Sequence, residues 1–297
     1  MLKVSVPATS ANLGSGFDCI GVALNLYNDF YFFSDNEQGV PSEAVLLEKR
    51  SLAHQGMNLV AEVLKKDTPN LKIAVRASVP SSRGLGSSAT LAVAGLVAAN
   101  VLLKGKLDEE KIISLATEIE GHPDNAAPAL VGGMVISVTS FNEIKYIKIR
   151  PQNNLRIIVA VPDFQLSTVA ARNILPKQVS REDAVFNTGR FGMFMTSILT
   201  GDYRYLNIAM EDALHQPYRM SLIPGFKEVI TAAYSKGALG SCLSGAGPTV
   251  LAFCKDNEEN IRKSMVEAWS SFGISAVTHV LDISSKGTLY KFENYIS

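Results

Sequence analysis

Between residues 72 and 80 the apolar side chains Ile73, Val75, Ala77 and Val79 fall at every second position, the period of a strand with one buried face. That strand runs into Ser81-Ser82-Arg83-Gly84-Leu85-Gly86-Ser87-Ser88, after which the apolar residues become continuous, rich in Ala and Leu and free of Pro. The pattern predicts strand, glycine loop, helix, with serines where an N-cap belongs. A second helix is predicted over 107–120, its first turn carrying Asp108, Glu109 and Glu110 to complement the dipole, and Gly121-His122-Pro123-Asp124-Asn125 closes it. Strands follow at 134–138 and 144–149. Past Pro151-Gln152-Asn153-Asn154 the pattern restarts with a strand at 155–161, which places a domain boundary there and divides the chain into 1–154 and 155–297. The second half predicts helices at 168–175, 181–199, 203–215, 225–235 and 257–272, and strands at 238–243, 249–254 and 276–283. Strands and helices mix without strict alternation, so the fold class is α+β rather than a doubly wound sheet.

A length of 297 residues suits two domains of ordinary size, and 28 basic residues balance 28 acidic ones. Balanced charge gives no bulk attraction to nucleic acid or to an anionic membrane, so the expected partners are small molecules or copies of the chain. The longest apolar run, 91–103, is interrupted by Asn100 and is shorter than the roughly 20 residues that span a bilayer. Met1-Leu2-Lys3-Val4-Ser5-Val6-Pro7 lacks a leader's apolar stretch, and the three cysteines are too few for a disulfide framework. A reducing, cytoplasmic setting is expected.

The loop at 84–89 has the chemistry of a phosphate cradle, because glycines let backbone N–H groups approach an anion and the helix N-terminus adds positive potential. No Gly-Lys-Ser or Gly-Lys-Thr follows, and no acidic strand end lies at the dinucleotide spacing, so neither of those nucleotide loops is present. The hydroxyls of Ser87 and Ser88 stand at the helix start, where one can bind Mg²⁺. Two further segments are dense in small residues: Pro7-Ala8-Thr9-Ser10-Ala11-Asn12-Leu13-Gly14-Ser15-Gly16-Phe17-Asp18 after the first strand, and Cys242-Leu243-Ser244-Gly245-Ala246-Gly247-Pro248-Thr249 between two later ones. Either alone reads as structural.

Together and in this order the three segments resemble the GHMP kinases, a family of small-molecule kinases. The resemblance extends to Glu118-Ile119-Glu120-Gly121-His122-Pro123-Asp124-Asn125, to 167–176 and to Gln216-Pro217-Tyr218-Arg219, and covers nearly the whole chain. Within the family these segments match the members that act on homoserine. The implied activity is ATP- and Mg²⁺-dependent phosphorylation of the L-homoserine side-chain hydroxyl, a step of threonine biosynthesis. The implied fold joins an N-terminal half similar to ribosomal protein S5 domain 2 to a ferredoxin-like C-terminal half, with the site between them, and a homodimer is expected.

Residue by residue, the resemblance puts the triphosphate on Pro80, Ser81, Ser82, Arg83, Gly84, Leu85, Gly86, Ser87, Ser88, Ala89 and Thr90, and Mg²⁺ on Ser88 and Glu118. Glu120 is the rival ligand, since two residues along a helix point differently. Asn58 matches a position near the base, or caps a helix. Asp18 would take the ammonium of homoserine, and Arg172 and Arg219 its carboxylate, for which a planar two-pronged donor is well shaped. Asn12 and Asn125 would orient the hydroxyl, with Thr168 lining the pocket. Asp124 is the candidate general base, although members acting on homoserine are thought to manage without one; His122 reads as a loop residue. Ser15 departs from the proline many of these members carry between the two glycines. Rival readings are a kinase for mevalonate, which has no ammonium for Asp18, a silent binding module, which would be expected to lose Ser88 or Glu118, and an S5-like nucleic-acid binder, which the charge balance disfavours.

Overall fold

The structure, a computed structural model, describes residues 1–37, 39–141, 143–152 and 155–293. Its strands are β1 (Leu2–Ala11), β2 (Ile20–Phe33), β3 (Val45–Leu46), β4 (Lys72–Arg76), β5 (Met134–Ser140), β6 (Glu143–Ile149), β7 (Arg156–Pro162), β8 (Gly240–Leu243), β9 (Val250–Cys254), β10 (Ala276–Asp282) and β11 (Leu289–Phe292). Its helices are α1 (Leu52–Val63), α2 (Ser87–Leu102), α3 (Glu109–Glu120), α4 (Ala126–Val131), α5 (Thr168–Asn173), α6 (Arg181–Thr200), α7 (Leu206–Ala209), α8 (Gln216–Arg219), α9 (Phe226–Ser235) and α10 (Glu258–Ser270).

Two antiparallel sheets result. The first runs β11-β1-β2-β4-β3, with β5 on β2 and β6 on β5; the second runs β10-β7-β9-β8. β2 is the spine of the first sheet, pairing β1 along its length, β4 through Asp29–Phe33 and β5 through Ile20–Val22. One face of this sheet packs on α1, α2 and α3, with Phe30, Phe32, Met57, Val93 and Leu96 buried between. Another core joins the sheets to α6 and α7 through Leu13, Ile20, Leu24, Ile157, Phe194 and Phe253. Beyond the second sheet, α9 and α10 close the molecule around Trp269, Phe226 and Met265. α2 is buried nearly all round, as a helix without a polar face must be. It lies so close to α1 that a Cβ on Gly95 would stand 1.9 Å from the Ala53 carbonyl oxygen.

The strand–glycine loop–helix unit and α3 form as expected, except that Gly86 and not a serine is the N-cap of α2; Asp108 caps α3 by accepting from the Lys111 N–H. The helix expected over 203–215 shrinks to α7, because the Asp212 carboxylate accepts from the N–H groups of Leu214, His215 and Gln216 and starts a new turn. The proposed boundary falls at 153–154, outside the described residues. The sheets change hands across it, but β11 returns from the C-terminal end to pair with β1. Among the described residues no helix is long and apolar enough to cross a membrane.

Candidate active site

A cleft of about 420 Å³ opens between the halves, bounded by the glycine loop, the end of α3, the 12–18 loop, α5 and the turn at 245–246. On one wall Gly84 (φ 79°) and Gly86 (φ 66°) take the left-handed conformation that turns the chain into α2. A Cβ on Gly84 would stand 2.2 Å from the Ser244 carbonyl oxygen, and one on Gly86 2.0 Å from Thr9 Oγ1. Ser81, Ser82, Arg83, Gly84, Gly86, Ser87 and Ser88 line the cleft, while Pro80 leads into them. Leu85, Ala89 and Thr90 turn their side chains into the interior: Leu85 and Ala89 are buried, and Thr90 Oγ1 accepts from Asn28 Nδ2 at 3.0 Å. Any contact these three make with a nucleotide is through backbone.

The loop is fastened to the C-terminal half. Ser244 Oγ donates to the Gly84 carbonyl at 2.6 Å, Arg83 Nη2 donates to the Asp163 carbonyl at 2.9 Å, and the Leu166 N–H reaches the Ser82 carbonyl at 3.3 Å. The glycine turn near 245 is thus a wall facing the nucleotide loop.

At the start of α2, Ser88 Oγ donates to Glu120 Oε2 at 2.6 Å. This corrects the expected pairing of Ser88 with Glu118. α3 buries Ile112, Ile113, Leu115 and Ala116, and Glu120, four residues beyond Ala116, continues that inner face, whereas Glu118 points outward and is exposed. Burial raises the Glu120 carboxyl above its ordinary value, against the lowering effect of the Ser88 hydrogen bond. Asn58 lies in the interior of α1 and is exposed, so it is not a helix cap, and it is not among the residues that line the cleft.

The opposite wall is assembled from distant segments. Asn12 (φ 58°) is buried, and its Oδ1 accepts from the Asp18 N–H at 2.8 Å, which leaves Nδ2 for a ligand. Asn125 Oδ1 accepts from Thr9 Oγ1 at 2.8 Å, a partner the sequence did not single out. Arg172 and Thr168, one turn apart on α5, both face the cleft. Arg172 grips Asp18 with two parallel bonds, Nη1 to Oδ2 and Nη2 to Oδ1, each 2.9 Å. Arg219 is buried, donating from Nε to the Ala171 carbonyl at 3.0 Å and from Nη1 to the Gly245 carbonyl at 3.1 Å. Burial and then the nearby Arg172 charge lower its pKa to about 10, so it stays a cation.

Two aromatic groups that sequence reasoning passed over support these cations. The Phe17 ring lies 5.7 Å from the Arg172 guanidinium carbon and 5.3 Å from that of Arg219. His215 stacks on Phe17 and holds the Gly14 carbonyl through Nε2 at 2.9 Å. Full burial lowers the His215 pKa, and Arg219 Nη1 lies 3.3 Å from its Nδ1, so the ring is neutral with its proton on Nε2. The only trace of this arrangement in the sequence is the spacing of four between His215 and Arg219. Asp124 is fully buried, with Oδ1 2.5 Å from His122 Nδ1 and Oδ2 without a partner among the described residues. Burial alone would lower the His122 pKa, but the hydrogen bond and charge of Asp124 outweigh it and raise it. His122 is therefore more than a loop residue: it faces the cleft and orients Asp124.

A glycine loop ending in a serine–glutamate pair, facing a wall of matched charges, is an arrangement for anchoring a triphosphate beside a small zwitterion. Residues 51–133 match the model of the GHMP kinases N terminal domain, and residues 194–271 that of the GHMP kinases C terminal domain. The chain belongs to the GHMP kinase family. Its chemistry is ATP-dependent phosphoryl transfer to a hydroxyl acceptor. This GHMP kinase is 42% identical over 296 residues to a homoserine kinase of Synechococcus, covering 97% of both chains. It is 43% identical over 282 residues to a homoserine kinase of Caldicellulosiruptor saccharolyticus, covering 93% of this chain and 91% of that one. Among solved structures, the homoserine kinase of Cytophaga hutchinsonii superposes with a TM-score of 0.84 at 30% identity, covering 98% of this chain and 97% of that one. The mevalonate kinase of L. major shares the fold at a TM-score of 0.66 and 19% identity, covering 96% of this chain and 97% of that one.

Proposed function

We propose that this kinase transfers the γ-phosphoryl group of ATP to the side-chain hydroxyl of L-homoserine. The observation that carries this reading is the Asp18–Arg172 pair, whose arginine lines, with Arg219, the cleft that the glycine loop closes. A bidentate ion pair inside a binding cleft is already the charge pattern of an α-amino acid. Homoserine enters it by exchange, its carboxylate replacing Asp18 on Arg172 and its ammonium replacing Arg172 on Asp18. A hydroxy acid without an ammonium leaves Asp18 unpaired, which costs about 1–3 kcal/mol and disfavours mevalonate.

Ser88 and Glu120 are the residues that would hold Mg²⁺. They present two hard oxygens 2.6 Å apart where α2 begins, and the burial that raises the Glu120 pKa is a cost that a bound cation would offset. When bound, the ion would screen the phosphate oxygens as charge shifts toward the leaving ADP. Backbone N–H groups of the glycine loop hold the triphosphate, while Asn12 and Asn125 aim the hydroxyl oxygen at the γ-phosphorus. A bond forms from that oxygen to phosphorus as the bond to the bridging oxygen breaks. ADP departs with the electron pair, and the proton passes to a phosphoryl oxygen. A loose transition state asks little of a general base. Asp124, tied to His122, serves to hold the acceptor wall and is a buried carboxylate available for an alternative proton route.

The same reading includes a cytoplasmic homodimer, testable by size-exclusion chromatography with light scattering, and a two-domain division in which the 289–292 strand belongs with the first domain. A coupled ADP-release assay with homoserine, serine, threonine and mevalonate tests the activity. Homoserine is expected to be turned over fastest and mevalonate not at all. Turnover of mevalonate with none of homoserine would overturn the assignment.

A further inference from the structure

On the seam between the two sheets, apart from the catalytic cleft, lies a cavity of about 610 Å³ walled by the end of β6, the start of β7 and the end of β10. Three cations, Lys148, Arg150 and Arg156, face one carboxylate, Asp282. Their pairing is incomplete. Arg150 is exposed and makes no hydrogen bond or ion pair among the described residues. Arg156 spends Nη1 on Glu258 at 3.2 Å, and its Nε lies 3.3 Å from Asp282 Oδ1 but is not aligned to bond it. That Nε is left buried without a hydrogen-bond partner. Asp282 is turned toward Asn25, whose Nδ2 donates to its Oδ2 at 3.3 Å. Behind the charges, Ile149 and Leu155 form an apolar floor, each 6% exposed.

We propose that this seam cavity is a second ligand site, for a small molecule carrying one compact anion, phosphate or carboxylate, on a short apolar body. The anion bonds Arg150 and the half-exposed guanidinium of Arg156, and the body rests on Ile149 and Leu155. A physical link to the cleft exists. Lys148 Nζ, at the cavity edge, donates to the Val131 carbonyl at 2.5 Å and to the Ser285 carbonyl at 2.8 Å. Val131 is the last residue of α4, whose only residue not fully buried is Leu130, and the residue before α4 is Asn125 of the acceptor wall. An anion that draws Lys148 away from Val131 acts on one end of the element whose other end sets Asn125.

Isothermal titration of inorganic phosphate and, separately, malonate into the full-length protein tests the site, with the catalytic cleft filled by a non-hydrolysable ATP analogue and Mg²⁺. Saturable binding at roughly millimolar or tighter is expected for one of the two, and which one distinguishes a phosphomonoester from a carboxylate ligand. Arg150→Glu, at an exposed position, should weaken that binding at least tenfold while leaving the anion-free ADP-release rate unchanged. Arg156→Gln should weaken it as well. The bound anion should also shift KM for the hydroxyl acceptor by roughly threefold in the wild type and not in Arg150→Glu. No saturable binding, or equal binding by Arg150→Glu, overturns the site; binding with no change in KM overturns the link through α4. The binding arms do not depend on which acceptor the kinase uses, so they fail separately from the homoserine reading.

Discussion

The two walls of the cleft are built by opposite means. The nucleotide wall is one stretch of chain, 81–88, in which two left-handed glycines and the start of α2 present backbone groups. Glu120 adds one side chain. The acceptor wall draws Asn12, Asp18, Asn125, Arg172 and Arg219 from four separate segments, and its chemistry lies in side-chain charges paired across them. Backbone geometry is encoded by neighbouring residues and can be read locally. Charge matching between residues as far apart in sequence as 18 and 172 exists only once the sheets have met.

The largest effect should come from the carboxylate that faces Ser88 on the nucleotide wall. Glu120→Gln keeps the shape of α3 but removes the carboxylate facing Ser88, and kcat is expected to fall by roughly 10²-fold or more, about 2.7 kcal/mol. Glu118→Gln, on the exposed side of the same helix, should change kcat less than about twofold. Steady-state kinetics at saturating ATP, with Mg²⁺ varied, separates the two; a larger effect at Glu118 would mean that the nucleotide wall ends elsewhere.

This pair also marks how far the sequence could be read. The strand, glycine loop and α2 followed from period and composition, because each signal sits within a dozen residues. The choice between Glu118 and Glu120 was available in the same way, since Ile112, Ile113, Leu115 and Ala116 define an inner face that reaches 120 and misses 118. The family pattern drew the choice the other way. Other features left no local signal. β2 is buried on both faces over much of its length and shows no alternation, β11 is a short exposed strand that pairs with β1 across the whole chain, and the His215–Phe17–Arg219 stack joins residues about two hundred apart. Asn125 and Asn12 could be named from motifs, but Thr9 as the partner of Asn125 and Asp18 as the partner of Arg172 needed the fold.

A smaller effect is expected on the acceptor wall. Arg172→Lys keeps the charge but loses the two parallel donors that fit a carboxylate. Loss of one charge-assisted hydrogen bond, about 1.5–3 kcal/mol, should lower kcat/KM for homoserine roughly ten- to hundredfold, chiefly through KM, with KM for ATP little changed. Asp18→Asn should in turn improve turnover of 4-hydroxybutanoate relative to homoserine, because no carboxylate is then left unpaired. The two substitutions should combine non-additively, since they disrupt one pair. A change confined to KM for ATP would place Arg172 on the nucleotide side and dissolve the division between the walls.

The smallest effect separates a charge pair that serves a ligand from one that serves the scaffold. Asp29 on β2 stands opposite Ser5 of β1 and Arg76 of β4 in register, accepts from Ser5 Oγ at 2.5 Å, pairs with Lys3 Nζ at 2.9 Å and with Arg76 Nη2. Burial would raise its pKa, but the hydrogen bonds from Ser5, Lys3 and Arg76 prevail and lower it below 3.8. The unfolded chain therefore binds this proton more readily than the folded one. The stabilisation from Asp29 is present above pH 3.8 and is lost as pH falls through the lower folded value. Asp29→Asn should cost about 1–2 kcal/mol at pH 7 and flatten the decline of stability below pH 4. Asp18→Asn, which removes the bidentate partner of Arg172, should change stability by less than about 0.5 kcal/mol, because that pair lies in an open cleft and is made to be exchanged. Urea unfolding of the three proteins at pH 7 and across pH 3–5 gives the answer. Equal losses for Asp18→Asn and Asp29→Asn would mean that the acceptor wall is held as rigidly as the sheet and that homoserine does not enter by exchange.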